Sequence, residues 1–259
     1  MKNLRISLIA LLAGFTLACG EAQGPGTQIV AHRGYWEGNA QNSIASLAKA
    51  QEFGCWGSEC DVHLTADGVV VVNHDRQVGT TDIQNSPLDS VRAHVLANGE
   101  CIPTLDEYLD QALKEPGCVL VVEIKPHEGE EREKQVVQTC LESIRAKDML
   151  HPGRVAFISF SYFICKELAR ECPGFTVQYL EGDKSPEEVY ADGINGIDYH
   201  YFRFREHPEW VQQAHEKGMS VNVWTVDGEE DIREMLALGV DQITTNNPAL
   251  VCELLAEMN

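Results

Sequence analysis

Short β-branched runs alternate with longer amphipathic stretches along nearly the whole chain, and this periodicity limits the fold more than any other feature of the sequence. The runs Gln28–Ala31, Gly57–Val62, Val119–Ile124, Val155–Ser159, Thr176–Leu180, Gly196–His200, Ser220–Trp224 and Gln242–Thr244 have the length and side-chain shape of strands. Most are separated by helical patterns, among them Ser43–Phe53, Leu105–Leu113, Glu131–Arg145 and Glu229–Leu238. Strands joined by helical crossovers lie parallel. About eight such units in roughly 230 residues predict an α/β fold, the TIM-type (β/α)8 barrel, whose usual size is about 250 residues. The 259-residue chain, 44% apolar, is long enough to bury that core. An open doubly wound sheet would want a glycine-rich phosphate loop after the first strand, and His32-Arg33-Gly34-Tyr35 is not one.

One run breaks the alternation. Val69–Asn73 follows the second strand after only Asp67-Gly68, a pair favoured at hairpin tips, so an additional short antiparallel hairpin strand is expected there. With Asp67 and Gly68 as the two central turn residues, His74 falls opposite Asp61.

The N-terminus reads as a separate element. Lys2 and Arg5 precede an apolar run from Ile6 to Leu17, followed by Ala18 and Cys19, which is the order of a secretory signal. Cys19 stands where a lipoprotein signal places its lipid-modified cysteine. The expected division is a signal peptide at 1–18, a lipidated cysteine and tether at 19–27, and one barrel domain at 28–259. Export to the cell envelope follows, with membrane contact only through the N-terminal lipid. The net charge is −20, and cleavage after Ala18 removes two basic and no acidic residues, so nucleic acid and anionic lipid surfaces are disfavoured as partners. The nine cysteines show no CxxC and no zinc-like His/Cys spacing, and imply neither zinc nor a dense disulfide framework.

Chemistry concentrates at the strand ends. Glu59 and Asp61 are one residue apart on a strand and project from one face, while Cys60 and Val62 project from the other. Glu123 ends another apolar strand, and barrel strands deliver their C-terminal residues to a common mouth. Buried unpaired carboxylates are costly, and a hard divalent cation held by their oxygens removes that cost; Mg²⁺ or Ca²⁺ fits such a set better than zinc. His32 ends the first strand beside Arg33, and Lys125 lies two residues beyond Glu123. Arg33 suits bidentate phosphate binding, Lys125 supplies a point charge, and His32 and His74 suit proton transfer near neutral pH.

The segments Ala31-His32-Arg33-Gly34, Glu59-Cys60-Asp61-Val62, Thr65-Ala66-Asp67-Gly68, Val72-Asn73-His74-Asp75, Glu123-Ile124-Lys125 and Thr245-Asn246-Asn247-Pro248 together resemble the glycerophosphodiester phosphodiesterase family. The resemblance implies a TIM barrel that hydrolyses glycerophosphodiesters to sn-glycerol 3-phosphate and an alcohol. It implies His32 and His74 as the acid and base pair, and Glu59, Asp61 and Glu123 as ligands of Mg²⁺ or Ca²⁺. Arg33 and Lys125 are then the phosphate-binding residues, and Trp224 a wall against the glycerol carbons. One departure stands out: where the family usually reads Pro-Glu-Asn-Thr, this chain has Ala40-Gln41-Asn42-Ser43, so an amide faces Arg33 in place of a carboxylate. Asn42 is expected to support the site or cap the following helix. Tyr199, His200, Tyr201, Phe202 and Arg203 follow another strand and are expected near the alcohol pocket.

Two other functions fit less of the sequence. A phospholipase acting on intact or lyso lipids suits an envelope anchor, but no long apolar stretch follows the signal. A catalytically silent binding barrel would explain Gln41, yet His32, His74, Glu59, Asp61 and Glu123 are all present. Headgroup and oligomeric state are left open at this point.

Overall fold

Eight parallel strands close on themselves in the computed structural model, which describes residues 26–258. The proposed signal, Cys19 and nearly all of the tether lie outside the described residues. Around the barrel run β1 (Gln28–Ala31), β2 (Gly57–Leu64), β6 (Val119–Ile124), β7 (Val155–Ser159), β8 (Val177–Tyr179), β9 (Gly196–His200), β10 (Ser220–Trp224) and β11 (Gln242–Thr245), with β11 pairing back onto β1. Every strand read from the sequence is present, each within two residues of its expected ends.

Alternation along the strands separates two cores. Outward residues such as Cys60, Val62, Leu120, Val122, Phe157, Ile197, Val221 and Ile243 pack against the surrounding helices in one large cluster. Among these helices are α1 (Ile44–Phe53), α3 (Leu105–Ala112), α4 (Glu130–Ala146), α5 (Tyr162–Glu171), α9 (Glu229–Leu238) and α10 (Pro248–Glu257). Inward residues form a smaller apolar cluster of Val30, Val119, Val121, Ala156, Ile158 and Leu180. The rest of the interior is polar: Gln178 Nε2 donates to Ser220 Oγ at 3.1 Å and to Gln242 Oε1 at 3.2 Å. Cys55, Cys60, Cys118, Cys140, Cys165 and Cys172 are buried and serve as small apolar residues. Shorter helices α6 (Pro186–Ala191), α7 (Tyr201–Glu206) and α8 (Glu209–Glu216) complete the outer ring.

The break in the alternation is an insertion between β2 and α3. It begins with the expected antiparallel strand, β3 (Val70–Val72), and continues through a two-stranded sheet, β4 (Gln77–Val78) with β5 (Thr81–Asp82), and α2 (Leu88–Arg92). The small sheet and α2 were not read from the sequence; they close over a separate apolar cluster of Val71, Ile83, Val91 and Ile102. One edge of β2 is divided, with Gly57 and Ser58 pairing with β1 and Val62 to Leu64 pairing with β3.

The hairpin register differs by one residue from expectation. Val62 pairs with Val72, and Asn73 N donates to Asp61 O at 2.9 Å, so Asn73 rather than His74 lies opposite Asp61. The turn holds three residues, not two: Thr65 N donates to Val69 O at 2.9 Å and Gly68 N to Thr65 O at 3.1 Å, with Gly68 at φ 85°. A type I turn closed by a left-handed glycine explains the extra residue.

The loop after β1 is the tightest part of the mouth. Gly34 has φ 79°, and a Cβ there would sit 2.7 Å from the backbone carbon of Ser46 at the start of α1. Gly68 has a similar φ with open space around it. In urea unfolding, Gly68→Ala should therefore cost about 1 kcal/mol, and Gly34→Ala clearly more, since it adds a backbone clash to the same dihedral strain. Equal losses would show that the close approach of this loop to α1 is not constraining.

Candidate active site

Neighbouring strands β2 and β6 bring the acidic residues together. Ligand oxygens of Glu59, Asp61 and Glu123 lie within 4.8 Å of one another, and all three residues are buried. Glu59 and Asp61 share the inner face of β2, and the β2–β6 register sets Asp61 beside Glu123. Each carboxylate has a different set of partners. Glu59 Oε2 accepts from Arg33 N at 2.7 Å, while its Oε1 is buried with no hydrogen-bond partner among the described residues. Asp61 Oδ2 accepts from Asn42 Nδ2 at 2.7 Å, and Asn42 Oδ1 accepts from Asp61 N at 3.2 Å. Lys125 Nζ stands between Asp61 Oδ1 at 2.7 Å and Glu123 Oε1 at 2.8 Å.

These surroundings divide the protonation behaviour. Burial, reinforced by Asp61 and Glu123, pushes the Glu59 carboxyl well above the usual range. Burial and then Asp61 raise Glu123 to about 8 against the pull of Lys125. Burial acts upward on Asp61 too, but Lys125, His74 and Asn42 outweigh it and hold this carboxyl below the usual range. Two groups that resist ionisation beside one that stays ionised, with an orphaned buried oxygen, make a site short of positive charge. An all-oxygen donor set of this kind suits a hard divalent cation, so the residues present fit such an ion.

The loop 32–42 is held from both sides. Arg33 and Asn42 both have φ 56°, in the left-handed region, and Asn42 N donates to Arg33 O at 2.9 Å. The helix cap is Ser43, whose side chain accepts from Ser46 N in a capping box. Asn42 is thus committed to Asp61, and of its two expected roles it has the supporting one. Arg33 Nη1 donates to Gln41 Oε1 at 2.8 Å, while Nε is 3.7 Å from Asp61 Oδ2 and buried without a hydrogen bond among the described residues.

Both histidines reach the same cavity, together with Arg33, Glu59, Glu123 and Trp224. His32 Nδ1 lies 2.8 Å from Asn246 Oδ1. The amide orientation follows from its neighbours: Asn246 Nδ2 donates to Asp227 Oδ2 at 2.7 Å, and Trp36 Nε1 donates to Asn246 Oδ1 at 3.1 Å. Asn246 Oδ1 can only accept, so His32 carries its proton on Nδ1 and leaves Nε2 free. His74 is arranged alike, with Nδ1 2.8 Å from the acceptor Asp75 Oδ1. Although it is displaced by one residue from its expected pairing, it still arrives at the mouth, because His63 Nε2 donates to the His74 carbonyl at 3.2 Å while Gln84 donates to His63 Nδ1 at 3.1 Å. Burial, and then Arg33, lower His32 to about 4; burial likewise lowers His74, against the pull of Asp61.

Four residues of this site carried no role in the sequence reading. Asn246 and Asp227 orient His32, and Trp36 fixes the amide between them. Asp198, 1% exposed, also lines the cavity; its Oδ2 accepts from Asn222 Nδ2 at 3.1 Å and its Oδ1 has no partner among the described residues. The signal for Asp198 was present in Gly196–His200, where alternation places Asp198 on the inner face and Ile197 and Tyr199 on the outer. The same alternation corrects the expectation for Tyr199, which is buried in the outer core and donates to Lys184 O at 2.9 Å. His200 does reach the mouth, 5.0 Å from Trp224 in a T-shaped contact, and Trp224 Nε1 donates to Asp198 O at 2.9 Å.

A barrel mouth with this chemistry is that of a phosphoric diester hydrolase, and comparison with known proteins specifies the kind. The family model described as "Glycerophosphoryl diester phosphodiesterase family" matches residues 32–250. A crystal structure of a glycerophosphodiester phosphodiesterase from Parabacteroides distasonis superposes with TM-score 0.88 and 42% identity, covering 91% of this chain and 99% of that one. A glycerophosphodiester phosphodiesterase of Caldanaerobacter subterraneus subsp. tengcongensis is 29% identical over 88% of this chain and 97% of its own. A phosphodiesterase of Oleispira antarctica, solved in complex with the product sn-glycerol-3-phosphate, has TM-score 0.76 and 25% identity over 88% of this chain and 96% of that one. The chain belongs to the glycerophosphoryl diester phosphodiesterase family.

Two outcomes test this geometry. Asn42→Ala strands a buried carboxylate oxygen and should cost roughly 1–3 kcal/mol in urea unfolding, more than the approximately 1 kcal/mol expected for loss of the Ser43 cap; the reverse order would contradict the supporting role. The second concerns pH. A lowered imidazole value means that the neutral form persists below the ordinary 6.5 and is lost only as pH falls toward about 4. Titration of the His32 ring, followed by NMR, should then lie well below pH 6.5, and a midpoint at or above 6.5 would show that His32 is not so perturbed.

Proposed function

We propose that this protein hydrolyses glycerophosphodiesters to sn-glycerol 3-phosphate and an alcohol, with Mg²⁺ or Ca²⁺ held by Glu59, Asp61 and Glu123. The observation that carries the reading is the convergence of three buried carboxylates with Arg33 and two oriented histidines on one cavity. The product bound in the Oleispira antarctica relative supports the same chemistry. Charge supports it further: three carboxylates exceed Lys125 and Arg33 by one negative charge, and one divalent cation with one phosphodiester anion brings the ensemble to neutrality.

When bound, the cation polarises a phosphoryl oxygen and offsets the charge that develops in the transition state. The protein's own residues do the rest. Arg33 lines the cavity, where its guanidinium would meet a phosphate oxygen, and the Gln41 contact holds it in place. Lys125 keeps Asp61 ionised and supplies positive charge beside the phosphate. His32 and His74 each turn Nε2 to the cavity, so the one that is neutral removes a proton from the attacking water or hydroxyl, while the other, as the doubly protonated imidazolium, gives its Nε2 proton to the departing alcohol oxygen. Trp224, locked by Asp198 and packed 5.5 Å from Phe160, forms an apolar wall for the glycerol carbons. The same proposal includes location: export through residues 1–18 and a lipid on Cys19 would hold the barrel at the cell envelope.

His32→Ala and His74→Ala should each reduce kcat about 10²- to 10⁴-fold with a smaller change in KM. A nitrophenyl ester, whose leaving group needs no proton, should rescue only the variant lacking the acid. Near-parental turnover by either variant on the best glycerophosphodiester would exclude the paired-histidine mechanism. Mass spectrometry of the mature N-terminus checks the location: an acylated Cys19 is expected, and an unmodified terminus beyond it would rule out the anchor.

A further inference from the structure

A phosphodiester has two ester arms, and the structure has two spaces that meet at Arg33 and His74. The first is the cavity containing Glu59, Asp198 and Trp224, enclosed by the barrel and about 90 Å³ in volume. The second is an open groove of about 370 Å³ between the loop after β1 and the insertion, lined on one side by Trp36, Asn39 and Gln41 and on the other by Asn73, Asp75 and Ala97. A phosphorus atom held beside Arg33 and between the two histidines necessarily sends one arm into each. The enclosed cavity has room for roughly three waters by their share of liquid volume, which suits a three-carbon unit, so the larger arm takes the groove.

The polar atoms of the groove indicate what that arm is. Gln41 uses Oε1 for Arg33, which leaves its Nε2 as a donor. Asn73 uses Nδ2 for the Asp75 carbonyl at 2.8 Å, which leaves Oδ1 as an acceptor. Asp75 Oδ1 holds His74, which leaves Oδ2 as a second acceptor, and the Asn39 amide offers both kinds of group. Hydroxyls both donate and accept and so match this mixture. An ammonium group would need acceptors alone, and an acyl chain would leave all of these atoms unpaired at a cost. Resting on the proposed hydrolysis of glycerophosphodiesters, we propose that the groove is the leaving-alcohol site and that its alcohol is polyhydroxylated.

The test compares the parent protein with Ala97→Trp, which fills the groove from an exposed loop position, and Asn39→Leu, which removes its mixed amide. Among the described residues, no hydrogen bond or ion pair joins either side chain to the acidic cluster or the histidines. Substrates are the methyl, choline and inositol esters of sn-glycerol 3-phosphate. The parent should prefer the inositol ester in kcat/KM. Each variant should lower kcat/KM for the inositol ester about tenfold, the scale of one lost hydrogen bond or a blocked contact, while changing the methyl ester less than about twofold on the same scale. Loss of the same size on all three esters, no loss on the inositol ester, or a parental preference for choline would overturn the proposal. A parent active on none of them would remove the proposed hydrolysis and this inference with it, whereas a parent active on all with indifferent variants would remove this inference alone.

Discussion

Three carboxylates buried within 4.8 Å of one another set the terms for the whole barrel mouth. Side by side in a low-dielectric interior, such groups repel, and each pays a desolvation cost that burial alone cannot return. The protein offsets only part of this. Lys125 bridges Asp61 and Glu123, Asn42 and the Arg33 amide satisfy single oxygens, and Glu59 Oε1 is left without a partner. The remaining deficit is of the sign that a divalent cation offsets, so the destabilising cluster is also the place where the residues present would hold one.

The rest of the mouth is organised to keep that cluster in register with the groups that act beside it. Arg33 is held in a left-handed conformation because its N–H is needed by Glu59 and its carbonyl by Asn42. Gly34 lets the loop pass against Ser46, which brings Asn42 back to Asp61. Each histidine is tied through Nδ1 to an acceptor, one by way of Asn246 and Asp227, the other by Asp75. Rigid strand ends and doubly anchored loops together fix the two rings relative to the acidic cluster, which is the positional accuracy that the proposed proton transfer would require.

Strands and acidic residues were legible in the sequence because both obey short periods. The β-branched runs marked all eight barrel strands, and the two-residue spacing of Glu59 and Asp61 placed both on one face. Long-range hydrogen bonds were not legible. Nothing local in Asn246 or Asp227 shows that they orient His32, more than 190 residues earlier, for the contact exists only once β11 closes onto β1. The hairpin register slipped by one because Asp-Gly suits both a two-residue turn and a three-residue turn with a left-handed glycine, and the Thr65 hydroxyl bonds to Asp67 and Val69 select the latter. Asp198 was missed although its alternation was plain, since a lone carboxylate on an apolar strand gains meaning only from the cavity that it faces.

If one divalent cation completes the buried carboxylates, calorimetric titration of Mg²⁺ or Ca²⁺ into the chelator-treated protein, in two buffers of different ionisation enthalpy, will show it. Because Glu59 and Glu123 hold their protons above the usual carboxylate range, binding at neutral pH should take up one ion per chain with release of protons to the buffer. Binding should be severely weakened in Glu59→Gln and Glu123→Gln proteins that remain folded. Absence of saturable binding, or binding with unchanged affinity in both variants, would show that the three carboxylates hold no such ion.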